Sequence, residues 1–131
     1  MKKITQQEFD DLPRSIAGFK TCPGQTDYSL IQTFAQRCVF GEWCVFRDQC
    51  RFGEGCVFGG GCSFGERCRF GERCSFGEGC VFGQGCRFGE HCIFDEQCIF
   101  GPRCHFGGWC VFGQGCRFGP WCRFKNRETN P

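Results

Sequence analysis

From Cys38 to Cys122 a cysteine returns every sixth residue without an insertion, and a phenylalanine follows each one two places later. This period constrains the fold more than any other feature, because six matches neither the 3.6 of a helix nor the two of a plain strand. Within one Cys-x-Phe-Gly-x-x unit, Cys and Phe are two apart and share one side of a short strand. The glycine that follows lets the chain turn where a Cβ would be strained. One unit is then one side of a coil, with Cys and Phe inside. A strict repeat of this length predicts a solenoid.

The residue between Cys and Phe points outward and reports how many sides one coil has. Taken every third unit, these residues sort themselves into Val39, Val57, Ser75, Ile93, Val111, then Val45, Ser63, Val81, Ile99, Arg117, then Arg51, Arg69, Arg87, His105, Arg123. Taken every second unit they show no order. Residues eighteen apart are therefore neighbours, and the sequence predicts an all-β, three-sided parallel β-helix of about five to six coils of 18 residues. Five coils at the ~4.8 Å strand spacing make a rod about 24 Å long. Weaker units precede the repeat at Thr26 and Tyr28, then at Gln32 and Phe34.

The pattern resembles the hexapeptide-repeat, left-handed parallel β-helix family. Cys takes that family's small position, Phe its inward aliphatic position, and Gly41, Gly53, Gly59 and Gly65 the position after it. The resemblance covers roughly residues 38–127, and left-handedness is what it implies. Arg47, Asp95 and Lys125 depart from it at the Gly position. Acyltransferases of that family use a histidine near a subunit interface and a loop that interrupts the coils. His91 and His105 are the only histidines here and no loop interrupts the repeat, so acyl transfer is disfavoured. The expectation is a protein that is not an enzyme, with no small-molecule substrate.

An open rod exposes strand edges and needs caps. Thr5 and Glu8 form a capping box, Ile4 and Phe9 a hydrophobic staple, and Pro13 ends the short helix. Phe9, Leu12, Ile16 and Phe19 are expected to cover the first Phe layer. The predicted organisation is a cap segment over 1–30, the β-helix over 31–127 and a tail over 128–131. That last segment leaves the carboxyl end without an apolar cap.

Sixteen cysteines would suit a secreted disulfide scaffold. Yet "MKKITQQEFDDLPR" has no apolar run after its lysines, and the cysteine spacing is too regular for a disulfide framework. No apolar stretch is long enough to span a membrane. The reading is a cytoplasmic protein with reduced, buried thiols acting as small apolar filler. Zinc ligands commonly come in pairs such as Cys-x-x-Cys, and none occurs, so no metal and no cofactor are expected. Cys22 lies outside the repeat and has no assigned role.

Sixteen basic residues against fourteen acidic exclude a global pull toward nucleic acid or anionic membrane. The distribution is uneven. Arg51, Arg69, Arg87, His105 and Arg123 make a basic column, with Arg73 and Arg127 at the following corner and Glu54, Glu72 and Glu90 positioned to offset it. Val39, Val57, Ile93 and Val111 make an apolar column, and Val45, Val81 and Ile99 a second. The side carrying Val39 is also acidic, through Glu42, Glu78, Asp95 and Glu96. Flat apolar stripes on a rigid sheet mark interfaces. The main expectation is a non-catalytic scaffold that binds a protein partner or forms a homo-oligomer through these faces, a role that suits a bacterial or phage accessory protein. The alternative is binding of a polyanion, nucleic acid or another phosphate-rich chain, along the basic column.

Overall fold

The computed structural model describes residues 1–125, so Arg127 and the tail over 128–131 lie outside the described residues. Short parallel strands stack into three sheets, one of seven strands and two of six. Every repeat strand pairs with strands eighteen residues away and with none six away, for example Phe58 with Phe76 and Phe76 with Phe94. The sheets form a three-sided β-solenoid. Asp95 and Lys125 at the Gly position leave the ladder unbroken: Asp95 N–H still donates to the Phe76 carbonyl at 3.0 Å, and Lys125 N–H to Phe106 at 3.0 Å.

Three columns of phenylalanine fill the interior. Each ring lies parallel to its neighbour in the same column, as Phe58 does on Phe76 at 4.9 Å and 4°. It meets rings of the other columns edge-on, as Phe58 does Phe64 at 5.0 Å and 86°. Both are favourable aromatic geometries, and each buried ring adds about 1.5–3 kcal/mol of apolar burial. Phe therefore fits a prism of this period, because its flat ring fills the width and repeats at the strand spacing.

Glycine acts differently from the sequence-based expectation. The glycine after Phe does not carry the positive φ of the corner. That conformation falls on the residue before Cys, such as Arg67 (φ 58), Arg73 (φ 60), His91 (φ 62) and Gly79 (φ 74). The glycine after Phe is required by close packing between coils. A Cβ on Gly59 would lie 2.7 Å from the Glu42 backbone nitrogen in the coil below.

The thiols also do more than fill space. The backbone ladder uses the carbonyls of Cys, of Phe and of the second residue after Phe. The carbonyl of the Gly-position residue turns inward, and a thiol of the next coil donates to it: Cys74 to Gly53 at 3.5 Å, Cys80 to Gly59 at 3.4 Å, Cys86 to Gly65 at 3.4 Å. A buried carbonyl needs a donor, and cysteine is an apolar-sized side chain that still supplies one. This explains why the small position is Cys and not Ala.

The amino-terminal helix Gln6–Asp10 has the expected capping box, with Glu8 N–H donating to Thr5 Oγ1 at 3.1 Å and Thr5 N–H to Glu8 Oε1 at 2.9 Å. Ile4 and Phe9 are buried, and Phe9 meets Phe34 edge-on at 5.2 Å. Leu12 is partly buried against the same core, whereas Ile16 and Phe19 do not cover it. Ile16 is wholly exposed, and Phe19 lies at the surface beside Arg37. Lys20 completes the cap instead: it takes the Cys position of the first rung, and its buried ammonium donates to the Phe9 carbonyl at 2.8 Å. Pairing in the solenoid thus starts earlier than residue 31: Lys2–Lys3 pairs with Thr26–Asp27, and Lys20–Cys22 with Cys38–Phe40. Cys22 stands in the Phe position opposite Phe40 and is fully buried. Ile31, not Gln32, is the inward residue of its weak unit. At the other end Phe118 and Phe124 are only partly buried.

Candidate functional site

The residues that sort at a period of eighteen are in register on the folded chain: Arg51, Arg69, Arg87, His105 and Arg123 occupy successive strands of one sheet. All four arginines are exposed. At the strand spacing, two unit charges repel by about 0.9 kcal/mol in bulk water, so the column carries a standing cost unless counter-charge meets it. The expected counter-charge does not arrive. Among the described residues, Glu72 pairs with Arg73 at 3.4 Å and Glu90 with Lys125 at 3.8 Å, and no carboxylate reaches the column.

The corner before this sheet adds residues that the outward-column reading missed. Arg67 and Arg103 stand beside Arg69 and His105, and with Gln49, Arg51 and Arg87 they line a groove of about 480 Å³. It continues as a second depression between Arg103, His105, Arg123 and the exposed Trp121. The same eighteen-residue spacing, applied to the residue before each Cys, yields Gln49, Arg67, Gly85, Arg103 and Trp121, so the signal was present in the sequence. Burial holds the His105 pKa below the ordinary imidazole value, and the neighbouring Arg87 and Arg123 charges lower it further. His105 is thus a neutral donor and acceptor between two cations at neutral pH.

The apolar columns are placed as expected in register, Val39 beside Val57, then Ser75, Ile93 and Val111, and Val45 beside Ser63, Val81, Ile99 and Arg117. Serine interrupts both, and Val39 is half-buried. Val57, Val81, Ile93, Ile99 and Val111 are exposed. Beside the Ile93 column, His91 stacks on Trp109 at 6.1 Å and 7°. Glu42, Glu78 and Asp95 border a separate acidic depression with Trp43. Basic and acidic surfaces therefore occupy different corners of one rod.

A three-sided β-solenoid with an arginine groove that no carboxylate of the described residues pairs is the class that fold and site define. A family model described as an RNA-binding, Nab2-type zinc finger matches residues 49–71, 68–83, 80–95, 97–113 and 109–125. These segments together span more than half of the 131 residues, and the chain belongs to that family. No curated protein and no solved structure matches the chain. The matching family is not the hexapeptide-repeat family that the unit resembles; the three-sided coil stands on strand register. No helix among the described residues is long and apolar enough to cross a membrane.

The zinc that the family name implies does not fit these residues. Among the described residues no three His, Cys, Asp or Glu side chains converge as a metal site. The cysteines point inward in three columns divided by phenylalanine. His91 and His105 lie on the outer surface, and three of the five matched segments contain no histidine.

Proposed function

We propose that the protein binds RNA through its phosphate chain, without catalysis, along the groove formed by Arg51, Arg67, Arg69, Arg87, Arg103 and Arg123. The observation that carries this reading is the run of in-register guanidinium groups with no carboxylate partner among the described residues. Guanidinium forks suit phosphate oxygens, and meeting phosphate would relieve the repulsion within the column. The family match favours RNA among polyanions. Trp121 at one end of the groove offers a face on which a base can stack. The rod contributes rigidity, so the charges are arranged before binding and little ordering is required.

The test is fluorescence anisotropy with a labelled single-stranded RNA, at several salt concentrations, on the wild type and on Arg69→Glu/Arg87→Glu. The expected result is salt-sensitive binding that the variant loses while its circular dichroism is unchanged. Retained affinity in a folded variant would sink the reading. A second reading, association through the apolar columns, is favoured by the exposure of Ile93 and Val111 beside the His91–Trp109 stack. It predicts that Val57→Glu/Ile93→Glu converts an oligomer to a monomer in sedimentation, with RNA affinity unaltered.

A further inference from the structure

We infer that the cysteines of this chain serve as the internal hydrogen-bond donors of the coil corners, and that the protein folds without zinc although it belongs to a zinc-finger family. The inference does not depend on what the arginine groove binds.

Three observations carry it. From Cys56 to Cys122, every repeat thiol lies 3.4–3.6 Å from the carbonyl oxygen of the residue twenty-one positions earlier. One donor serves one inward carbonyl in each corner, and the match repeats without exception along the rod. Second, the Cys columns are separated by the Phe columns, so thiols from different sides of a coil cannot meet around one ion. Zinc needs four ligands at about 2.0–2.3 Å in a tetrahedron, whereas each coil brings one thiol to each column. Third, the histidines that would complete a Cys/His set lie outside the core: His105 alternates with the buried Phe106 along its strand, and His91 is exposed at a corner and stacks on Trp109.

Ligation would also break what the thiols now do. A metal-bound cysteine is a thiolate and cannot donate. Deprotonating Cys92 would set a sulfur anion 3.6 Å from the Gly71 carbonyl oxygen and leave that oxygen unsatisfied. Burial opposes ionisation of every thiol in the columns and pushes up the end thiols Cys116 and Cys122, whereas the hydrogen bonds between stacked thiols act in opposite directions on the two partners, raising Cys92 and lowering Cys74 and Cys110. The cysteine-rich repeat that matches the family thus has a structural use that excludes the family's metal.

The experiment measures metal content of the purified, reduced full chain by plasma mass spectrometry, together with thermal melts in the presence and absence of EDTA. Cobalt(II) titration follows thiolate-to-metal absorption. The expected result is no stoichiometric zinc, superimposable melts and no cobalt–thiolate band. Zinc retained at one or more ions per chain, with unfolding in EDTA, would overturn the inference. Cys74→Ser and Cys74→Ala supply a second readout. If the thiol acts as donor to Gly53, the serine variant melts above the alanine variant, because its hydroxyl restores a donor. Equal melting of the two would count against the donor role.

Discussion

Arg69 and Arg87 occupy the same position on adjacent parallel strands, with the Arg87 N–H donating to the Cys68 carbonyl at 2.9 Å and no acidic side chain of the described residues paired with either guanidinium. The backbone ladder enforces a proximity that the side chains themselves oppose. Such an arrangement has a consequence for binding that salt reveals. Replacing Arg69 and Arg87 by Gln should reduce the slope of log affinity against log salt by about 0.7 for each lost contact with a single strand. Anisotropy titrations across salt concentrations measure this. An unchanged slope would mean that phosphates do not meet this column.

The pH dependence should have a definite sign. The free protein holds His105 neutral at pH 7, since burial and the charges of Arg87 and Arg123 lower its pKa. A phosphate in the groove favours the imidazolium, so binding takes up a proton and affinity should rise as pH falls through and below about 6.5. Fold stability should move the other way: the unfolded chain protonates first, so His105 lowers stability as pH falls past the same region. His105→Gln should flatten the pH dependence of binding.

Gly61 and Gly79 share a positive φ, 71° and 74°, at equivalent corners. A Cβ on Gly79 meets nothing, while one on Gly61 would run into the Trp43 indole. Alanine at either site incurs the left-handed penalty of roughly 1–2 kcal/mol. Gly61→Ala should cost more, and the excess should shrink in a Trp43→Ala background. Chemical denaturation of the single and double variants measures the difference.

Phe76 lies between Phe58 at 4.9 Å and Phe94 at 4.8 Å, within a complete ring layer. Phe76→Ala should cost about 3–5 kcal/mol in denaturant unfolding. Phe118→Ala should cost clearly less, because Phe118 is partly exposed near the carboxyl end. Equal losses would show that the end of the rod is as well covered as its middle.

The spacing of Cys, Phe and Gly was enough to read three sides, a period of eighteen and inward Cys and Phe, because a strand's alternation turns sequence distance directly into side-chain direction. For the same reason the basic and apolar columns are legible in the sequence. Ile16 and Phe19 were misplaced, since apolar character alone does not say which residue a short cap can bring over the ring layer; Lys20 took that role through its bonds to the helix carbonyls. Nothing in the repeat announces a zinc-finger family, because it lacks the paired short spacings by which such sites are recognised.

What the sequence by itself determined is therefore the repeating geometry: which residues face in, which face out, and which are stacked. Only the tertiary structure decided what those neighbours do to one another. It showed that Arg67 and Arg103 join the arginine column across a corner, that Glu72 and Glu90 pair elsewhere, and that thiols answer carbonyls of the coil below. These depend on where the chain turns and on distances of a few ångströms between coils. Such distances are set by ring stacking and by glycine contact between coils, and no single repeat unit encodes them.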